Sequence, residues 1–356
     1  MKWKNGCLSM LFWILCASAI AFGASQGVVF EDANRNGVLD LGEKGIAGIP
    51  ISDGASVSLT GPRGTFEFPS NRPVFVSPPN GWWTDRFWLP PGKGLHFALY
   101  RIDVPTHFRF IQVTDIHLMP KAEGNLRQFV DFANASADIA FVVATGDLLM
   151  AAGSLAEHDQ VEAAFGEYID IMSHLEVPLF NVLGNNDCAC KLPRDDPYWH
   201  KGAYRALLGP TWYSFNYGGW HFVVLDTNHP GCPTWESLPQ EQFDWLLQDL
   251  ALIPPDTPLV LFSHVPLFLC QHFKELLQVL SGHRVKVAAS GHLHVTAEFN
   301  VKFPQVIAGA LSGRWWKGGG LSWEGRNMDG SPQGYELFEV EGGDIHWEYV
   351  AFRPGR

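Results

Sequence analysis

Apolar runs of strand length in this chain stop repeatedly on an aspartate, an asparagine or a histidine. Phe108–Thr114 ends at Asp115 and His117, and Ala140–Thr145 ends at Gly146-Asp147. Val177–Leu183 ends at Gly184-Asn185-Asn186-Asp187, Leu259–Ser263 at His264, and Val285–Ser290 at Gly291-His292-Leu293-His294. Runs this short and apolar read as buried strands. Side chains two apart on an extended chain leave on one face, so Asp115 and His117 are expected to reach a common point. Between the strands the spacing turns helical: Leu126, Phe129, Val130 and Ala133 within 125–134; Val161, Phe165, Ile169 and Met172 within 155–175; Phe243, Leu246, Leu247 and Leu250 within 240–252. Strand–helix alternation indicates α/β layers. Polar groups gathered at the carboxyl ends of strands are how such layers build sites.

The ordered series resembles the motifs of the calcineurin-like metallophosphoesterase superfamily: D-x-H, G-D, G-N-H-[DE], a lone H and G-H-x-H. All five blocks fall within roughly 108–310, and one is altered. The resemblance implies an α/β fold, a four-layer α/β/β/α sandwich, and a phosphoester hydrolase. It implies that Asp115, His117 and His294 hold a first metal, that Asn185, His264 and His292 hold a second, and that Asp147 bridges both. Imidazole mixed with carboxylate suits borderline ions, here Mn, Zn or Fe in a divalent or trivalent state. In such a pair the nucleophile is a metal-bridging hydroxide, and the ions clamp an in-line displacement at phosphorus.

The altered block carries Asn186 where the family places a histidine that helps protonate the leaving group. Asparagine donates a hydrogen bond but not a proton. The expectation is therefore a phosphodiesterase favouring esters whose leaving groups need no proton, with His229 or His200 as substitute donors. Asp187 is expected to orient another ligand. His158, His174, His272 and His283 read as surface or satisfied core residues, and His221 as pointing outward from its strand.

The flanks differ in texture. Lys2, Lys4 and the apolar Leu8–Phe22 read as a signal peptide over 1–23, implying a secreted, periplasmic or cell-envelope protein. Cys188, Cys190, Cys232 and Cys270 are an even set compatible with disulfides, with bridges from the 188–190 loop to Cys232 or Cys270 expected to stiffen the site. Residues 26–104 read as a small all-β sandwich, which resembles the amino-terminal module of secreted bacterial relatives. Inside it, Asp32, Asn34, Asn36, Val38 and Glu43 match a twelve-residue calcium loop, with a hydrogen-bonded turn as the plain alternative. Trp82, Trp83 and Trp88 are expected at a module junction, or as a platform for a cell-surface glycan. The core region spans 105–310, and 311–356 reads as an extension completing or capping a sheet. In it, Arg314, Trp315 and Trp316 are candidates for the substrate mouth. Net charge is −12 with no basic run, which disfavours extended nucleic-acid binding. The substrate is then a phosphoester: a small molecule, a lipid head group or a cell-wall phosphodiester. The competing readings are a non-catalytic, metal-containing glycan-binding surface protein and an unspecific phosphomonoesterase.

Overall fold

The computed structural model describes residues 24–229, 236–317, 320–321 and 324–352. The segment 1–23 and Cys232 lie outside them, so the signal-peptide reading and any bridge to Cys232 do too. Among the described residues, no helix is long and apolar enough to cross a membrane.

The central region is built on two sheets. The first orders its strands Leu179–Asn181, Ile139–Ala144, His107–Val113, Gly334–Glu341 and Asp344–Ala351. Its first three strands run parallel, and the last two, supplied by the carboxyl-terminal segment, are antiparallel. The second sheet orders Tyr213–Tyr217, Trp220–Leu225, Pro258–Ser263, Arg284–Ser290, Phe303–Ile307 and Ala297–Val301. The sheets face each other across an aromatic core. Phe110 stacks on Phe338 at 4.7 Å and on Phe141 at 4.9 Å, and Phe141 meets Phe222 edge-on at 5.3 Å.

Helices Glu123–Ala135 and His158–Met172 cover the first sheet through Leu126, Phe129, Val130, Val161 and Phe165, which pack with Ile111, Val113, Val142 and Ala144. Helices Gln240–Leu250 and Phe273–Val279 pack on the second sheet through Phe243, Leu246 and Leu276. The helices expected over 155–175 and 240–252 are shorter than their apolar spacing suggests, ending at Met172 and Leu250. The strand expected over 177–183 forms only at Leu179–Asn181. Pro178 has no N–H to extend the ladder, although its carbonyl still accepts from Val142 N.

Before residue 107 lie two four-stranded sheets that enclose a separate core of Val29, Ile51, Phe66, Val76, Phe97 and Leu99. This β region abuts the central region. Trp83 packs edge-on against Tyr217 at 5.3 Å, and Trp212 Nε1 donates to Gly54 O at 2.8 Å. Trp82 and Trp83 are buried, Trp82 beneath the Arg101 guanidinium, so they do not form the exposed platform that the glycan reading needs. In the 32–43 loop, Asp32 accepts from Asn36 N and Gly37 N, and Asn34 and Asn36 both donate to Asp40 Oδ2. Those bonds describe an Asx-rich turn closed on itself.

One buried acid sets a pH dependence. Glu336 lies opposite Gln112 in the antiparallel pair, and neither its Oε2 nor Gln112 Oε1 has a hydrogen-bond partner. Burial, with Glu298 and Glu348 nearby, pushes the Glu336 carboxyl up to about 8. An acid raised on folding binds its proton more tightly in the native state. Its effect on stability is absent below pH 4.5, and stability is lost as pH rises from there through 8. Glu336→Gln is expected to remove that loss and to raise the melting temperature at pH 9 relative to wild type. The gain is bounded by roughly 5 kcal/mol, because each tenfold change in proton affinity is worth about 1.4 kcal/mol. Thermal melts of both proteins between pH 5 and pH 9 check it.

Candidate metal centre

Each donor sits just past the end of a parallel strand. The chain does not continue extended there. Asp115, His117, Asp147, His292 and His294 all have left-handed backbones, with φ between 46° and 72°. Asp115 and His117 therefore converge by a tight turn and not by strand alternation. Five non-glycine residues in this sparsely populated region are costly, and such strain persists where surrounding contacts over-determine it. Those contacts are present: Asp115 N donates to Gly146 O, and His117 N to Asp147 O.

The glycines of the motifs are required by close approach. A Cβ at Gly184 would collide with the backbone N and Oδ1 of Asp147. One at Gly291 would collide with Thr114 Oγ1 and Asp115 Oδ2.

Asp115, His117 and His294 bring ligand atoms within 4.8 Å of one another, and so do Asp115, Asp147 and His264. His117 Nε2 lies 3.0 Å from His294 Nε2 and 3.6 Å from Asp147 Oδ2. His264 Nε2 lies 3.3 Å from Asp147 Oδ1 and 3.2 Å from Asn185 Oδ1, while His292 Nδ1 faces it at 3.3 Å. All seven sequence-derived donors thus meet in one cluster, whose two acid–imidazole groups overlap at Asp115, with Asp147 between His117 and His264.

The donor chemistry fits metal. Asp115 Oδ1 is buried without a hydrogen-bond partner. His264 and His294 are each 2.9 Å through Nδ1 from a main-chain carbonyl, Thr145 O and Gly313 O, which fixes the tautomer and turns Nε2 inward. Burial disfavours charge on His264, but Asp147 beside it outweighs burial and lifts the imidazole to about 10. Burial likewise opposes charge on Asp147, yet His264 and His117 hold its carboxyl well below the usual range. Protons and carboxylates here occupy one another in the way cations and carboxylates would, and metal uptake displaces such protons.

Asp187 does not face the cluster. It is fully buried, accepting from Leu149 N at 3.0 Å through Oδ1 and from Gly184 N at 2.8 Å through Oδ2. It ties the Asp147 loop to the Asn185 loop, which makes it a positioning residue and not a catalytic one. Asp187→Ala would orphan two buried N–H groups, at about 1–3 kcal/mol each. A drop of several degrees in melting temperature is expected, with Asp187→Asn recovering part of it.

Asn186 sits on the Asp147 carboxylate: its Nδ2 donates to Oδ2 at 2.6 Å and its backbone N to Oδ1 at 2.8 Å. His229 and His200 make no hydrogen bond or ring contact with any of the seven donors. Burial, then Lys201, pushes His200 down to about 4, and burial also lowers His229. His200 is thus neutral near pH 7 and carries no spare proton to give up. His221, expected to point outward, is instead a satisfied core residue between Asn216 and Asp249. Cys190 is disulfide-bonded, whereas Cys188 and Cys270 are buried free thiols. A bridge through Cys270 is therefore excluded.

Several supporting residues carry no motif. Thr114 Oγ1 donates to Asp115 Oδ2, and Gln112 Nε2 reaches Thr145 Oγ1 and Ser290 O, linking three ligand-bearing strand ends. The carboxyl-terminal segment also closes the site. Leu311 N and Ser312 N donate to Thr114 O and Asp115 O, and Trp316 Nε1 reaches Ile116 O and His117 O. Trp316 is thus buried scaffold, while Trp315 is exposed at the mouth.

Overlapping acid–imidazole groups at the strand ends of paired sheets define a metallophosphoesterase. The family model described as Calcineurin-like phosphoesterase matches residues 108–296, and that for the C terminal of Calcineurin-like phosphoesterase matches 306–355. The chain belongs to the calcineurin-like phosphoesterases. It is similar to a 3',5'-cyclic-nucleotide phosphodiesterase of Nostoc sp., 24% identical over 196 residues, 51% of this chain and 70% of that one. A probable cyclic nucleotide phosphodiesterase of Rhodococcus erythropolis is 26% identical over 220 residues, 55% of this chain and 68% of that one. Among solved structures, a dimetal phosphatase from Danio rerio aligns at TM-score 0.44 and 14% identity, covering 69% of this chain and 99% of that one.

Proposed function

We propose that this protein hydrolyses phosphodiesters at a two-metal centre held by Asp115, His117, Asp147, Asn185, His264, His292 and His294. The observation that carries the reading is the pair of donor groups that overlap at Asp115, with the Asp147 carboxylate between the His117 and His264 imidazoles. Bound there, a pair of Mn, Zn or Fe ions would supply Lewis-acid charge and an activated water for displacement at phosphorus. The chain's own part is to fix that geometry. Asp187 and Gln112 lock the loops, Thr145 and Gly313 orient two imidazoles, and Asn186 offers an N–H at the reacting face.

Asn186 gives no proton to a departing oxygen, which favours esters with good leaving groups, and the preference for diesters over monoesters rests on the likeness to the two phosphodiesterases. The two relatives' names make cyclic nucleotides the first substrates to try. Hydrolysis of bis-p-nitrophenyl phosphate, p-nitrophenyl phosphate and a 3',5'-cyclic nucleotide, each with Mn²⁺ or Zn²⁺, tests the reading. Faster turnover of the diester supports it; a monoester preference would favour the unspecific phosphomonoesterase, and no metal-dependent turnover would favour a binding protein. Export to the cell envelope is part of the proposal, tested by the amino-terminal sequence of the mature protein. Weak Ca²⁺ binding at Asp32, Asn34, Asn36, Val38 and Glu43 is a further part, tested by calorimetry on the full chain.

A further inference from the structure

Three exposed apolar residues connect to one metal-donor histidine, by chain adjacency, by a backbone hydrogen bond and by ring contact. Leu293 precedes His294 and is 36% exposed, Trp315 is 41% exposed, and Met328 is 53% exposed. Met328 N donates to His294 O at 2.7 Å, and the Trp315 ring lies 5.7 Å from the His294 ring at 63°. Of the three, Trp315 is the one whose ring lies beside the donors, where an exposed indole offers a flat apolar face to a substrate.

Trp315 is held there against its own backbone preference. Its φ is +53° and that of Trp316 is +59°, a region that bulky residues rarely adopt. The conformation is fixed from below. Trp316 N donates to Ser312 O at 2.7 Å, its indole N–H reaches Ile116 O and His117 O, and Gly313 O holds His294 Nδ1. One tryptophan anchors the turn while its neighbour is turned out beside the donors. Lys317 Nζ lies 5.7 Å from the Trp315 ring centroid, which places a cation next to the indole.

We propose that Trp315 is a stacking platform for the aromatic base of a nucleotide phosphodiester, with Lys317 as a partner for substrate anionic charge. The proposal rests on the phosphodiesterase reading and adds the substrate class and the residue that selects it. A flat π-face accepts any base, so the platform confers preference for base-bearing esters without choosing among bases. An acyl chain would need an extended apolar groove, whereas one indole beside a histidine offers a single flat face.

The test compares adenosine 5'-monophosphate with ribose 5-phosphate as probes, by calorimetry on the Mn²⁺-loaded full chain. Both carry a phosphate, and only one carries a base. Wild type is expected to bind the nucleotide about 10-fold or more tightly than the sugar phosphate. Trp315→Ala is expected to abolish that ratio and Trp315→Phe to keep most of it. In kinetics, the kcat/KM ratio for a 3',5'-cyclic nucleotide over glycerophosphoethanolamine should fall by a similar factor in Trp315→Ala. Equal binding of the two probes by wild type would overturn the proposal, as would loss of the ratio in Trp315→Phe as complete as in Trp315→Ala. Tighter binding of dihexanoyl phosphatidylcholine than of the nucleotide, lost in Trp315→Ala, would overturn it in favour of a lipid. If the base is preferred but no diester is hydrolysed, the platform stands and the phosphodiesterase reading falls. If diesters are hydrolysed without base preference, the platform alone falls.

Discussion

Asp147→Asn is expected to lower phosphodiester turnover at least about 1000-fold while leaving the chain folded. Asp147 stands between imidazoles from the two sides of the site, with His117 Nε2 at 3.6 Å and His264 Nε2 at 3.3 Å on its two oxygens. An amide offers one oxygen where two are needed and removes a full negative charge between two cation positions. Losing the charge stabilisation that metals give a phosphoryl oxygen is worth several kcal/mol, and about 4 kcal/mol is three orders of magnitude in rate. The fold should tolerate the change. Asn186 N and Nδ2 donate to the carboxylate now, and the amide oxygen keeps one of those bonds. Far-ultraviolet circular dichroism and a melt alongside the rate measurement separate lost chemistry from lost structure. Turnover within 10-fold of wild type would mean that Asp147 bridges nothing.

Asn186→His is the second large effect, and its direction is a gain. The side chain lies against Asp147 Oδ2 at 2.6 Å, so a ring N–H placed there finds a ready acceptor. General-acid assistance is worth roughly 10²–10⁴-fold where the departing oxygen is poor. Alkyl diesters, including those that expel a ribose oxygen, should gain about 100-fold. Bis-p-nitrophenyl phosphate, whose phenolate leaves without help, should change little. The contrast between the two esters is the readout, since a general change in metal affinity would move both alike. Equal rates on alkyl diesters for both proteins would show that the position has no part in protonating the leaving group. It would then leave His229 and His200 as the donors to test.

The parallel strands and the seven donors are legible in the sequence because they rest on short-range patterns: apolar runs of fixed length, each closed by one or more donors. Asp115 and His117 pair as their spacing suggests, but not for the reason that spacing offers. Left-handed turns at φ 49° and 46° leave little trace in residue type, because aspartate and histidine enter that region more often than most residues yet usually adopt others. His221 is misplaced by its pattern because alternation says which face a side chain takes but not what lies beyond it. Asp249, 28 residues later on a helix, supplies its partner. The cysteines are illegible for the same reason, since spacing carries no information on which thiols meet. Gln112, Gly313 and Trp316 are invisible as supports because their partners come from other strands and loops, up to 200 residues away. The Gly-Arg-Trp-Trp segment does stand out by composition, and tertiary contact then divides its two tryptophans between scaffold and surface.

Elemental analysis of the purified full-length protein after incubation with Mn²⁺ or Zn²⁺ and removal of free metal measures the central claim directly. Two equivalents of transition metal per chain are expected, falling to one or fewer in Asp147→Asn. A wild-type chain that retains none, or one that retains the same amount with and without the Asp147 carboxylate, would contradict a shared two-metal centre.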